Sequence, residues 1–252
     1  MCQDAIRPAG PNVRALVEYD GSGFLGFQKQ PSGRTVQGEL EKALRGLTGR
    51  PVRVIGAGRT DAGVHATGQV VNFRPGPELP LERLASALDR ALPADIAVRS
   101  VERADDTFHA RYDAKWRTYE YTIRNAPVRR ALEWRFVWHV PQLLDVSGMR
   151  LAAGALIGTH HFGAFGTPER GRSAVREMRR AEVLADGEIV LIRLTANAFL
   201  RHMARGIVGA LVEVGLRRTA PAGLAGALDS DADHPLFPMA PPQGLCLVEV
   251  EY

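Results

Sequence analysis

Twice along this chain the spacing of apolar residues runs from alternation to a helical repeat, back to alternation over two segments, to helical again and to alternation once more. That order constrains the fold more than any other feature. Val13, Ala15, Val17 and Tyr19 alternate with their neighbours and predict a strand with one buried face. "TVQGELEKALRGLTG" places Val36, Leu40, Leu44 and Leu47 at helical spacing, with Thr35 as the capping residue and Gly49 as the stop. "VRVIGAG" and "QVVNFR" are two further strands, "LERLASALDRAL" is an amphipathic helix closed by Pro93, and "IAVRSVER" returns as a strand. The second half repeats the order loosely. "RTYEYTIRN" and "RFVWHV" are strands, "LLDVSGMRLAAGALIG" is a helix, and "MRRAEVLADGEIVLIRLTANAF" is a hairpin turning at Asp186-Gly187. "LRHMARGIVGALVEVGL" is a long helix and "LCLVEVEY" a closing strand. This is an α+β pattern in two halves, 12–110 and 111–252, without a residue-level repeat.

At 252 residues, 45% of them apolar and 24% charged, the chain can bury a sizeable core. No run approaches the roughly 18 apolar residues of a membrane span, and the start lacks an apolar signal core, so no membrane is involved and the expected location is cytoplasmic. Cys2 and Cys246 are too few and too distant for a disulfide framework. His160 and His161 are adjacent, without Cys partners at ligand spacing, and read as a turn or strand edge, not a metal site.

The net charge is only +4, and lysine occurs at Lys29, Lys42 and Lys115 alone. Arginine dominates, and its planar fork suits phosphate oxygens and base stacking. Its clusters are "RRALEWRF" at 129–136, "RGRSAVREMRR" at 170–180, and Arg201, Arg205, Arg217 and Arg218. Each cluster taken singly also fits a solvated face. "GTPERGRSAVREMRR" has the character of a mobile loop, and "DSDADHPLFPMAPPQG" is an irregular stretch with four prolines, either ligand-contacting or without function.

Three constellations bear on chemistry. "GAG" after a strand invites a dinucleotide-binding reading, which fails because "QVVNF" resumes as a strand where that fingerprint needs a helix. In "GAGRTDAGVHATGQVVNF", residues 56–73, Asp61 stands as a lone acid between two strands, with Arg59 and His65 nearby and Gly63 letting the backbone bend. An Asx-turn is its ordinary fate, and a functional acid held at a sheet end is the alternative. In "NAFLRHMARGIVGALVEVG" a helical wheel puts Leu200, Met203, Ile207, Leu211 and Val214 on one buried stripe, with Arg201 and Arg205 at its margin. Such an arginine either extends its head to water or reaches a buried carboxylate.

Together these segments resemble the bacterial tRNA pseudouridine synthase A family. The matching stretches are "VEYDGSGFLGFQKQ", "TVQGELEKAL", "GAGRTDAGVHATGQVVNF", "FHARYDAKWRTYEYTIRN", "NAFLRHMARGIVGALVEVG" and "GLCLVEV", in the family's order from about residue 13 to the end. The resemblance implies a pseudouridine synthase fold, two similar α/β halves with a mostly antiparallel sheet flanked by helices and a central basic cleft. The first half would carry the catalytic loop and the second complete the cleft. It implies isomerisation of uridine to pseudouridine at positions 38, 39 and 40 of the tRNA anticodon stem-loop, by a homodimer with no metal and no cofactor. Residue by residue it implies Asp61 as the catalytic nucleophile and Arg59 as an RNA contact. It likewise implies Tyr119 as the aromatic against the target base, Arg205 as the partner of the catalytic acid, and Leu245 as an apolar pocket wall. Tyr121 would face the same side of its strand as Tyr119. His65 and His202 would orient a loop or helix. The chain departs from the family at "GTHHFGAF", residues 158–165, where relatives commonly read G-x-H-D-F-S-A-F.

Two other classes remain in view. A pure RNA-binding module would gain nothing from an acid in a groove that holds phosphates. A metal-assisted hydrolase would need further acids beside Asp61, and the motif contains none.

Overall fold

A computed structural model describes residues 10–76, 80–230, 232 and 234–252, so Cys2 lies outside the described residues. The chain forms two compact units, one ending at Ala114 and one spanning Lys115–Tyr252.

The first unit contains strands β1 (Val13–Tyr19), β2 (Ile55–Gly56), β3 (His65–Phe73) and β4 (Ile96–Arg103), with helices α1 (Val36–Thr48) and α2 (Leu81–Ala91). Strict alternation of burial along β1 follows from its alternating sequence. Helix α1 begins where Thr35 Oγ1 accepts the Gly38 N–H at 3.2 Å and ends where Gly49 turns left-handed at φ 69°. β1 pairs antiparallel with both β3 and β4, and β2 pairs antiparallel with β3, giving the order β4-β1-β3-β2.

The second unit contains β5 (Trp116–Asn125), β6 (Trp138–Val140), β7 (Gly158–His161), β8 (Val175–Asp186), β9 (Ile189–Ala196) and β10 (Leu245–Glu251). Its helices are α3 (Val146–Gly154), α4 (Met203–Gly215) and α5 (Pro221–Leu228). The order is β10-β5-β9-β8, extended by β7. All these pairs are antiparallel, and only short β6 runs parallel to β5. Matching β1, α1, β2, β3, α2, β4 with β5, α3, β8, β9, α4, β10 gives the same split βαβ topology in each unit. The halves are therefore similar in connectivity as well as in element order.

Several expectations needed correction. The strand expected over "VRVIGAG" shrinks to Ile55–Gly56, because side chains of α1 take the backbone groups a ladder would use. Gln37 Nε2 donates to the Val54 carbonyl at 3.0 Å, and the Val54 N–H donates to Glu41 Oε1 at 3.3 Å. "RFVWHV" is strand only from Trp138, since a turn precedes it in which the Phe136 N–H meets the Glu133 carbonyl. The loop over "GTPERGRSAVREMRR" ends at Ala174, and Val175 onward belongs to the β8–β9 hairpin.

Helix α4 also differs from the wheel reading. His202 sits at φ 68°, so the helix starts at Met203, and Arg201 precedes it in a two-hydrogen-bond bridge with Thr167. Burial covers nearly all of α4, not one stripe. Small residues permit this: a Cβ on Gly209 would lie 1.7 Å from the Pro238 carbonyl oxygen, so the chain around Pro238 packs directly on helix backbone.

Helix α5 was not anticipated. Its small apolar residues form no clear stripe, and Pro221 at its first turn was the available signal.

Candidate active site

The connection between β2 and β3, residues 57–64, carries Arg59 and Asp61. It is held from two sides. From the sheet, the Ala57 N–H donates to the Val70 carbonyl at 2.8 Å. Fully buried Gln69 accepts the Gly58 N–H at 3.2 Å and returns its own N–H to the Gly58 carbonyl at 2.9 Å. The Tyr19 hydroxyl and Thr60 Oγ1 share a hydrogen bond of 2.8 Å. From the other side, the Phe27 N–H donates to the Thr60 carbonyl at 3.0 Å, and the Val64 N–H closes the turn on the Asp61 carbonyl at 3.2 Å. Asp61 is thus half-buried on a fixed backbone, and Arg59 is exposed. Preorganisation of this kind keeps a reacting group in place without reordering at the moment of reaction.

The turn after β1 that braces this loop is itself fastened. Arg34 forks onto Asp95 with hydrogen bonds of 2.6 and 2.8 Å, and its guanidinium lies 4.2 Å from the Phe24 ring centre. The Gly21 N–H donates to His65 Nδ1 at 3.0 Å. The same ring nitrogen lies 3.3 Å from Asp20 Oδ1, so His65 is tied to the turn after β1.

Gly26 also approaches the loop closely, at φ 93°, and a Cβ there would stand 2.7 Å from the Thr60 carbonyl oxygen and 3.2 Å from the Asp61 carbonyl carbon. Gly26→Ala should therefore both strain its own backbone and push on the Asp61 loop. We expect about 1–3 kcal/mol of lost stability, read from urea unfolding, with turnover lost beyond what the unfolded fraction explains.

In the second unit, Tyr119 and Tyr121 are both buried on β5, opposite Leu247 and Leu245 of β10. Their surroundings differ. The Tyr121 hydroxyl donates to the Pro241 carbonyl at 2.8 Å, and burial pushes this phenol well above its ordinary pKa, an effect the nearby Arg205 charge partly offsets. Tyr119 packs its ring edge-on against Phe199, centroids 4.9 Å apart. Arg205 Nε donates to the Ala240 carbonyl at 2.8 Å, and the Ala240 N–H donates to the Arg205 carbonyl at 3.1 Å. Arg205, Tyr121 and the chain at 240–241 thus set the entry into β10, where Leu245 is buried.

Tyr121→Phe would leave the Pro241 carbonyl without this donor. The expected cost is about 1–3 kcal/mol, read as a lower denaturation midpoint with an unchanged urea m-value.

Part of each arginine cluster is taken up in ion pairs, as is Arg124 outside them. Arg124 and Arg130 hold Glu133 and Glu188, and Arg179 holds Glu251 while lying 4.7 Å from the Trp116 ring centre. Arg180, Arg217 and Arg218 face Glu182, Asp145 and Glu213. Sequence reasoning missed Gln69 and Tyr19 as braces of the loop, since neither stands near the motif's charged residues. In "GTHHFGAF", His160 and His161 lie on β7, and His160 Nε2 sits 3.0 Å from the Ile157 carbonyl oxygen. Among the described residues no three His, Cys, Asp or Glu side chains gather as a metal site would need, and no helix is long and apolar enough to cross a membrane.

A two-unit α+β chain with an aspartate on a braced interstrand turn matches a known class. The family model described as tRNA pseudouridine synthase matches residues 15–113 and 152–252, and the chain belongs to that family. Among individual proteins it is similar to the tRNA pseudouridine synthase A of Moorella thermoacetica, 44% identical over 248 residues, covering 96% of this chain and 100% of that one. It is also similar to the protein of that name from Syntrophotalea carbinolica, 42% identical with 95% and 96% covered. The Methylobacterium counterpart is 42% identical with 96% and 98% covered.

Proposed function

We propose that this protein isomerises uridine to pseudouridine at positions 38, 39 and 40 of the tRNA anticodon stem-loop, in the cytoplasm and as a homodimer, with Asp61 as the nucleophile. The observation that carries this reading is the half-buried Asp61 carboxylate on a loop braced by Gln69, Tyr19 and Phe27.

The reaction breaks the bond between ribose C1′ and base N1, turns the detached base, and joins C1′ to C5. C5 gives up its proton and N1 gains one, so no water is consumed and no electrons are exchanged. One carboxylate suffices for such an exchange. A second acid, as glycoside hydrolysis uses, would activate a water and lose the base. The Asp61 carboxylate has three routes to this exchange: attack at C1′, attack at C6, or removal of a proton from ribose C2′ on a glycal route.

The remaining roles are those the family resemblance implies. An anion working away from bulk water needs a compensating cation, and Arg205 is assigned to Asp61. The target nucleotide leaves its stack at a cost of a few kcal/mol, and an aromatic face at Tyr119 offsets part of that cost. Leu245 gives the base an apolar wall, and Arg59 contacts the RNA.

The test incubates purified protein, without added metal, with tRNA transcripts that carry or lack uridine at positions 38–40, and maps pseudouridine. Product confined to those positions supports the reading; product elsewhere, or none, rejects it. Sedimentation at assay concentration tests the dimer.

A further inference from the structure

Both peptide planes that flank Asp61 are tied to their surroundings. The Thr60 carbonyl, which shares a plane with the Asp61 N–H, accepts from the Phe27 N–H, and the Asp61 carbonyl accepts from the Val64 N–H. These ties run from backbone to backbone. Thr60 is also held through its side chain, by the 2.8 Å hydrogen bond between its Oγ1 and the Tyr19 hydroxyl. That bond joins the last residue of β1 to the residue directly before Asp61.

A slip in strand register accompanies the contact. Val17 stands opposite Gln69 and Tyr19 opposite Ala66, so β3 takes three steps where β1 takes two. A bulge of this kind bends its strand and re-aims the side chains beside it. The Tyr19 oxygen also receives Gln69 Nε2 at 3.4 Å, and Gln69 holds both backbone polar groups of Gly58. Three side chains, Gln69, Tyr19 and Thr60, thus link the sheet interior to the loop and meet it at Gly58 and Thr60, on either side of Arg59.

A buried phenol needs a hydrogen-bond partner wherever it lies. Tyr121 finds one in the Pro241 carbonyl. Tyr19, 3% exposed, instead meets a hydroxyl whose own residue carries the backbone of Asp61. A shift at Thr60 therefore moves the carboxylate. We propose that the Tyr19 hydroxyl is a positioning group for the reaction, acting through Thr60 to set where the Asp61 carboxylate meets the target nucleotide. The inference rests on the function proposed above, in which Asp61 is the reacting acid. Displacing a reacting group by about 1 Å can cost about 100-fold in rate while binding contacts elsewhere stay intact.

The experiment measures single-turnover rate and equilibrium binding of a tRNA transcript for wild type, Tyr19→Phe, Thr60→Val, Thr60→Ser and the double variant Tyr19→Phe/Thr60→Val. Circular dichroism corrects each for folded fraction, and amide exchange is followed over residues 58–64. Tyr19→Phe keeps the ring and removes one oxygen; it is expected to slow the chemical step about 10- to 100-fold, with affinity within about twofold of wild type. Thr60→Val is expected to match it, and Thr60→Ser, which retains a hydroxyl, to keep most of the rate. The double variant is expected to be no slower than the slower single, since both substitutions remove the same bond. A folded Tyr19→Phe protein with the wild-type rate would overturn the assignment. So would Thr60→Ser as slow as Thr60→Val, or affinity falling as far as rate. A wild-type protein that forms no pseudouridine would overturn the proposed reaction by itself, and exchange over 58–64 would then judge the positioning. Exchange at least about tenfold faster in Tyr19→Phe supports it, and exchange at the wild-type rate overturns it.

Discussion

Asp61→Asn protein is expected to fold normally, to bind tRNA at least as tightly as wild type, and to form pseudouridine at least about 10⁴-fold more slowly. The hydrogen bonds described for the loop are made by its backbone, Thr60, Tyr19 and Gln69, so an isosteric amide at position 61 leaves that bracing in place. Removing a negative charge from a surface that meets phosphates does not weaken binding and can strengthen it. The chemical step is different, since an amide is neither an adequate nucleophile nor a base. Single-turnover rates and equilibrium binding, measured on the same preparation, separate the two effects. Turnover by Asp61→Asn near the wild-type rate would remove Asp61 from the chemistry, and equal loss of binding and turnover would make it a structural residue.

Arg205→Ala is the second large effect. Its guanidinium holds the Ala240 carbonyl and lies near Tyr121, so truncation loosens the entry into β10. If Arg205 also compensates Asp61, truncation leaves a partly buried carboxylate without its cation. Together these are expected to cost about 3–5 kcal/mol of stability and at least about 100-fold in turnover. Arg205→Lys should recover little, because an ammonium does not reproduce the planar fork. The pairing has its own readout in a double-mutant cycle. Removing Arg205 should cost at least about 1 kcal/mol less in an Asp61→Asn background, where no anion needs compensating. Strictly additive costs would reject the pairing and leave Arg205 with its Ala240 tie alone.

Much of the secondary structure was legible because it is encoded locally. Thr35 and Gly49 bracket α1, alternation marks β1, and Asp186-Gly187 marks the β8–β9 turn, each within a few residues of the feature it sets. The failures have the opposite character. Gln37 and Glu41 suppress a ladder at Val54, 17 and 13 positions away. The backbone at His202 moves the start of α4 past two residues that fitted its wheel. Arg179 looked available because its partner Glu251 stands 72 positions along the chain, whereas Arg130 meets both distant Glu188 and neighbouring Glu133.

The candidate site divides in the same way. Asp61 stands out in the sequence as a solitary acid on a glycine-bounded turn, and the family resemblance supplies its proposed partners. Its bracing by Tyr19 and Gln69, 41 residues from Thr60 and 11 from Gly58, is visible only after folding. The separation of Tyr121 from Tyr119 likewise depends on Pro241, 120 residues downstream of Tyr121.

By itself the sequence determined the order of elements, their caps and turns, and the turn that bears Asp61. Periodicity and capping are short-range, and each states which face of an element is buried. Only the tertiary structure decided what lies against that face: the β4-β1-β3-β2 order shared by both units, and the bracing of the Asp61 turn. Those outcomes depend on pairings between distant residues, which local spacing does not encode.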